Sequence, residues 1–465
     1  MFENQKYQLS PDWNLRTEQF GALLYNIPTS GTLLLNHTGR QILELIVACA
    51  PALSDLDVLL RKNFGLSAEG ELVPIRKFIS TLASAQVIQA RDAELAAPVR
   101  NQRVRPEQAS RSENLASHDA CVLSAPITVW WDVTSACNLK CKQCYSSSGR
   151  ALRDELTTLE ACRLVDELAE LGVFSIYFLG GEPLMRRDFY DIVQRAVKNG
   201  LRVMISTNGW LVSDRAANRL AELGVHHVRV SLDGATPQMH DRIRGMAGSW
   251  ERAIAAIKAL KRAGLPMVGV GPTMMQENFS ECEDLIGLAV DLGADEIQLG
   301  QLCNVGRGEA IVPLSGAQIA VMRSIIARKT RDLRGRLRIS SPEGTWDDKP
   351  HLKAAREGAI TPNLMGCGGG RSVAAISSTG QVRCCLLYDL PVGNVRHSSF
   401  KELWYGDHPN LRWLRSVKEG CNGCRNSKIC AGPCPMEKTT SCDERREFVA
   451  GQCQANCLSP VSLAL

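Results

Sequence analysis

Between residue 126 and about 330 the chain repeats one unit, a short apolar run followed by an amphipathic stretch at helical spacing. The apolar runs are Ile127–Val133, Ser175–Leu179, Arg202–Ser206, His227–Leu232, Met267–Pro272 and Glu296–Gln301. Helices are expected near 157–171, 187–198, 213–223, 249–263, 280–292 and 315–330. Strands that recur with a helix between them pair most simply in parallel, so the expected class is α/β, a parallel sheet with crossover helices. Six units make most of a TIM-like (β/α) barrel, and an open doubly wound sheet has the same rhythm; the alternation does not separate them. Both gather ligands at the C-terminal ends of the strands, where the unusual residues of this sequence fall.

The chain has 465 residues and a net charge of only +5, too little to argue for nucleic acid or an anionic membrane as partner. It opens on Met1-Phe2-Glu3-Asn4-Gln5-Lys6, without a basic-then-apolar signal pattern. The longest apolar candidate, Ile42–Leu53, follows Arg40 and contains Glu44, so it reads as a buried helix and not a membrane span. A cytoplasmic protein is expected. In that compartment eighteen cysteines are an anomaly, because thiols there stay reduced and grouped cysteines serve more often as metal ligands. Three cluster at 137–144 and ten fall between Cys367 and Cys457.

Cys137, Cys141 and Cys144, at x3 and x2 spacing, directly follow the first expected strand. Three thiolates in a loop suit zinc or iron–sulfur, but zinc wants a fourth Cys or His close by and none is near. Gly180-Gly181-Glu182-Pro183 ends the second strand, and two glycines let a ligand approach the backbone closely. Ser206-Thr207-Asn208-Gly209 ends the third strand and Ser231-Leu232-Asp233-Gly234 the fourth; His240-Asp241-Arg242-Ile243-Arg244-Gly245 follows. Taken together, the Cys-x3-Cys-x2-Cys loop with Tyr145 behind it and these strand ends resemble the radical S-adenosylmethionine (SAM) superfamily. The resemblance implies a [4Fe–4S] cluster on the three cysteines with one iron left for SAM. It places the SAM amino group at Gly180–Pro183, the ribose and methionyl parts near Ser206, Asn208, Ser231 and Asp233, and the SAM carboxylate at Arg244, whose fork suits a carboxylate. It also implies reductive cleavage of SAM to a radical that abstracts hydrogen from substrate. The catalytic acid or base is not legible.

Cys367, Gly380, Cys385, then Cys421-x2-Cys424-x5-Cys430-x3-Cys434, then Cys453, resemble the seven-cysteine pattern of the SPASM domain. Cys421-x2-Cys424 alone would also fit a zinc knuckle. Cys385 is preferred to Cys384 because it lies the required distance after Gly380. The resemblance implies two auxiliary [4Fe–4S] clusters, an outer one on Cys421, Cys424, Cys430 and Cys453 and an inner one on Cys367, Cys385 and Cys434. Residues 304–366 hold no cysteine, so the inner cluster has an open iron or borrows Cys384, Cys442 or Cys457.

Residues 1–92 read as a separate module. Phe20–Asn26 and Gly31–Leu35 flank a Pro28/Ser30/Gly31 turn as a hairpin, and helices are expected from Asn36–Thr38 to Ala50, near 53–64 and near 70–86. A hairpin with three helices is a winged-helix-like composition, but the helix at 39–50 carries only Arg40, which argues against DNA. Residues 93–122 are polar and read as a linker, leaving 123–335 as the core and 336–465 as the cysteine-rich domain. The core, with Ser146–Arg150, is similar to the mycofactocin and pyrroloquinoline quinone maturases, and the module resembles leader-peptide recognition domains of such systems. That implies a precursor peptide with a leader as substrate, and a flavodoxin or ferredoxin as electron donor. Two other readings stay open, modification of a tetrapyrrole side chain in haem biosynthesis and a non-catalytic iron–sulfur sensor.

Overall fold

Residues 7–29, 31–49, 53–90, 123–340 and 367–416 are described by the computed structural model, the first three stretches in one compact unit and the last two in another. The linker expected at 93–122 and Cys421, Cys424, Cys430, Cys434 and Cys453 lie outside the described residues.

In the first unit the strands are β1 (Tyr7–Leu9), β2 (Trp13–Glu18), β3 (Gly21–Asn26) and β4 (Thr32–Asn36); α1 (His37–Cys49), α2 (Leu53–Phe64), α3 (Glu69–Ser84) and β5 (Ile88–Ala90) follow. Strands β2-β3-β4 form an antiparallel sheet, and β1 pairs with β5. The expected hairpin is β3–β4, and Asn36 caps α1 by accepting from Gly39 N at 2.7 Å. Strand β2 was hidden in the sequence because its inward positions carry charge. Arg16 and Glu18 are both buried and neutralise each other at 2.7 Å, so hydrophobic alternation does not mark the strand.

The second unit is built on a ten-stranded sheet. Its strands are β6 (Thr128–Thr134), β7 (Ser175–Gly180), β8 (Arg202–Thr207), β9 (His227–Val230), β10 (Met267–Val270), β12 (Glu296–Gln298), β14 (Arg338–Ser340), β15 (Val373–Ile376), β16 (Gln381–Arg383) and β17 (Pro391–Asn394). The short strands β11 (Thr273–Met274) and β13 (Gly300–Gln301) pair with each other in a separate sheet. The order is β14-β12-β10-β9-β8-β7-β6-β15-β16-β17, parallel from β14 through β15 and antiparallel beyond. The six expected strands are present. Two more parallel strands flank them, and neither announces itself: β14 has one apolar residue, Ile339, and β15 lies inside the cysteine-rich segment.

Helices α4 (Thr158–Glu170), α5 (Phe189–Lys198), α6 (Asp214–Glu222), α7 (Pro237–Arg244), α8 (Ser249–Arg262), α9 (Cys282–Asp291) and α10 (Gly316–Asp332) fill the crossovers. Alternation of side chains along each strand sorts the two faces. Val129, Trp131, Ile176, Phe178, Val203, Ile205, Val228, Val230, Val268, Val270 and Ile297 are buried in one core with Leu164, Ile192, Leu220, Ile257 and Leu285 of the helices. The opposite face is polar, and the register lines up Ser206, Arg229, Gly269, Glu296 and Arg338 in one row. Thr157 and Glu160 form a capping box at the start of α4. Glu160 also accepts from Arg396, whose guanidinium holds its carboxyl down at about 2, tying the 367–416 segment to the core. Beyond it lie α11 (Phe400–Tyr405) and α12 (Pro409–Arg415). Among the described residues no helix is long and apolar enough to cross a membrane.

Candidate cluster and cofactor site

The cysteine loop leaves the C-terminal end of β6 and is pinned by backbone on every side. Cys137 N donates to Gly149 O at 2.9 Å, Lys142 N to Ile243 O at 3.1 Å, and Arg307 N to Cys144 O at 3.0 Å. Arg307 also donates from Nε to Cys141 O and from Nη1 to Ser148 O, each at 2.9 Å. Burial pushes the Cys137 thiol up to about 11, and Cys141, Glu182 and Cys144 push it the same way. Three thiols carried by one short loop are soft ligands once deprotonated, so the residue types fit a thiolate-held metal cluster.

Gly180 and Gly181 make a close contact that the sequence alone does not show. A Cβ on Gly181 would meet Ala136 O at 2.0 Å, and one on Gly180 would meet Thr134 O at 2.4 Å. What approaches these glycines is the cysteine loop's own backbone. Gly181 N donates to Thr134 O at 2.8 Å and Glu182 N to Ala136 O at 2.7 Å, setting the loop against β7. Glu182 is fully buried and accepts from Thr207 Oγ1 and Asn208 N, each at 2.8 Å; burial nonetheless raises its carboxyl to about 7. Pro183 starts a short 3-10 turn behind it. Asn208 Nδ2 donates to Asn138 Oδ1 at 2.8 Å and lies 4.0 Å from Cys137 Sγ. Ser206 and Ser231 are half-buried; Ser231 N donates to Thr207 O at 2.9 Å, joining the ends of β8 and β9.

The His240–Gly245 stretch, outside the helices expected from sequence, is the C-terminal part of α7, which Thr236 caps and Gly245 ends at φ 69°. That helix delivers Arg244 to the cysteine loop. Arg244 Nε stands 2.8 Å from Asp233 Oδ2, an ion pair off hydrogen-bond alignment, and Nη1 lies 3.6 Å from Cys141 Sγ. Asp233 is fully buried, accepts from Thr273 N at 2.8 Å and from Gln143 Nε2, and its backbone N donates to His240 Nδ1.

Sequence reasoning missed several residues here. Gln143 is nearly buried and its Oε1 has no hydrogen-bond partner among the described residues. Asp132 accepts from the Tyr145 hydroxyl at 2.7 Å and faces Arg383 at 3.4 Å; burial lifts its carboxyl to about 6. Arg229 donates to Tyr177 Oη at 2.8 Å and to Glu296 Oε2 at 3.0 Å across the polar face. A charged residue at an alternating position of an otherwise apolar strand was the available signal, in Trp130-Trp131-Asp132-Val133 and in His227-Val228-Arg229-Val230.

Cys367, Cys384 and Cys385 form no disulfide among the described residues, and Cys367 and Cys385 both lie within electrostatic reach of Cys384. Cys384 is buried against Leu411 and Leu414, which drives its thiol to about 12, whereas Cys385 is half-buried. Elsewhere in the second unit Cys282 is buried and Cys162 and Cys303 are half-buried.

A family model described as the radical SAM superfamily matches residues 131–289, and one described as an iron–sulfur cluster-binding domain, SPASM, matches residues 367–426. The chain belongs to the radical SAM superfamily, with SAM and a [4Fe–4S] cluster as its cofactors and auxiliary iron–sulfur clusters in the SPASM domain. Among curated relatives it is similar to the mycofactocin maturase MftC of Mycobacterium ulcerans, 33% identical over 326 residues, 68% of this chain and 85% of the relative. It is similar also to the AdoMet-dependent heme synthase of Methanosarcina barkeri, 31% identical over 66% of this chain and 91% of that one. Among solved structures, Streptococcus suis SuiB bound to precursor peptide SuiA shares the fold with a TM-score of 0.69 at 18% identity, over 92% of this chain and 95% of that one.

Proposed function

We propose that this enzyme cleaves SAM reductively and uses the radical to modify a ribosomally made precursor peptide, whose leader binds residues 1–92. One observation carries the peptide reading. The fold likeness to SuiB bound to its precursor peptide leaves under a tenth of this chain uncovered, less than residues 7–90, so it reaches into the N-terminal unit. The unit also offers the physics. Strand β2 pairs with β3 and, among the described residues, with no other strand, so its outer edge can take a peptide as one more strand.

In this reading residues 93–122 link the unit to a core of 123–335, and 336–465 carry the auxiliary clusters. Cys137, Cys141 and Cys144 hold the cluster that binds SAM. Gly180–Pro183, Ser206, Asn208, Ser231, Asp233 and Arg244 line the cofactor's place. Cys367 and Cys385, with Cys421, Cys424, Cys430, Cys434 and Cys453, hold the auxiliary clusters, and an electron comes from a flavodoxin or ferredoxin. When bound, the reduced cluster and SAM supply a carbon-centred radical able to take hydrogen from an unactivated C–H bond. The chain's own part is to fix the three thiols and to keep the polar sheet face, with Asp132, Tyr177 and Arg229, turned toward the substrate.

Relatives named for haem synthesis, at 31–32% identity, favour a second reading with a tetrapyrrole as substrate. Removing residues 1–92 separates the two. Peptide modification is expected to fall about a hundredfold or more, because the leader no longer tethers the reacting segment, while substrate-free SAM cleavage persists. Unchanged turnover of a tetrapyrrole side chain by the truncated enzyme would favour the haem reading instead.

A further inference from the structure

Each of the three cluster sulfurs has a polar hydrogen donor close to it, and one donor differs from the others. Leu139 N lies 3.5 Å from Cys137 Sγ and Ser146 Oγ lies 3.5 Å from Cys144 Sγ; both are neutral. The third is a guanidinium, Arg244 Nη1, 3.6 Å from Cys141 Sγ. Sulfur accepts at longer range than oxygen, so these distances belong to N–H···S and O–H···S contacts.

Arg244 is held for this contact. It is 8% exposed, its Nε is paired with Asp233 at 2.8 Å, and Asp233 itself has no exposure. The carboxylate of Asp233 is fixed by Thr273 N and Gln143 Nε2, and its main chain by Asn278 Nδ2, which donates to Asp233 O at 2.8 Å. Those partners come from β11, from the turn after it and from the cysteine loop itself, so the guanidinium cannot swing away without breaking a buried network. On the other side, Lys142 N bonds Ile243 O at 3.1 Å, so the main chain next to Arg244 is tied directly to the loop that carries Cys141.

We propose that Arg244, positioned by Asp233, donates to the Cys141 sulfur and raises the reduction potential of the SAM-binding cluster. The reduced cluster is one charge more negative than the oxidised one. A buried cation and an N–H donor at a ligand sulfur therefore stabilise the reduced form more. Asp233 keeps the cation in place; it is a positioning residue and makes no contact with the sulfur. This role rests on the assignment of Cys137, Cys141 and Cys144 as cluster ligands, and is separate from any contact of Arg244 with the SAM carboxylate.

The test is an EPR-monitored redox titration of the full-length, reconstituted enzyme without SAM, following the signal that SAM addition perturbs. In R244Q the midpoint potential is expected to move to more negative values with that signal retained, and in R244K, which keeps a point charge but loses the fork, to move less. As a readout on the unmutated chain, arginine labelled with 15N on the guanidino nitrogens is expected to give a hyperfine coupling to the reduced cluster that R244K lacks. An R244Q midpoint equal to that of the parent overturns the proposal, and weakened SAM binding with that unchanged midpoint would assign Arg244 to the cofactor alone. If R244Q does not assemble the cluster, absence of the 15N coupling in the unmutated protein overturns it as well. Should the parent show no SAM-perturbed signal, the cluster assignment itself fails, which is a different outcome from an unmoved midpoint.

Discussion

Replacing Cys141 with Ala is expected to abolish SAM cleavage under anaerobic reducing conditions and to lower bound iron by about four atoms per chain from about twelve. The reason lies in how the three thiols are placed. Cys141 is buried, its carbonyl is held by Arg307 and its sulfur faces Arg244, so its place in the loop is fixed. Two thiols leave two iron corners without protein ligands, and a cube so held is lost. Retained cleavage of SAM in C141A, measured as 5′-deoxyadenosine formed, would show that the active cluster sits elsewhere.

Gly181→Ala is expected to be nearly as damaging, although the residue has no functional group. A methyl there meets Ala136 O at 2.0 Å, Ala136 C at 2.6 Å and Ser135 C at 3.0 Å, all of them main chain that cannot rotate aside. The cysteine loop must move off β7, which breaks the bonds Gly181 N–Thr134 O and Glu182 N–Ala136 O. The cost to stability is about 1–3 kcal/mol, and the loop displacement is expected to remove the core cluster's iron. Gly149→Ala is the matched control, because a Cβ on Gly149 of the same loop has no atom within 4 Å and should leave iron content unchanged. Equal iron in G181A and G149A would mean that the glycine pair does not set the loop.

These two positions show how the sequence could be read and where it could not. Cys141 was legible because metal chemistry depends on residue type and spacing along one short loop. Gly181 was legible as a special position, but its partner was not, since the carbonyl of Ala136 reaches it only through the parallel pairing of β6 with β7. The same limit hid Asp233 as a hub. Its partners Gln143, Thr273 and Arg244 come from three separate segments, and no local pattern joins them. The six strands and their helices were legible because their apolar faces repeat at regular periods. Strand β14 escaped because three residues with one apolar side chain carry no period, and β2 because Arg16 and Glu18 satisfy each other inside. Helix α7 was not among the expected helices because its exposed side is wholly polar and it buries only His240, Ile243 and Arg244.

The central claim is that Cys137, Cys141 and Cys144 hold an iron cube with one corner left for SAM. EPR spectroscopy of the reduced, reconstituted enzyme before and after SAM addition tests it most directly. The account predicts that one cluster signal changes shape and g-values on adding SAM while the auxiliary signals stay as they were. A spectrum indifferent to SAM, with zinc in place of iron on those three cysteines, would contradict it.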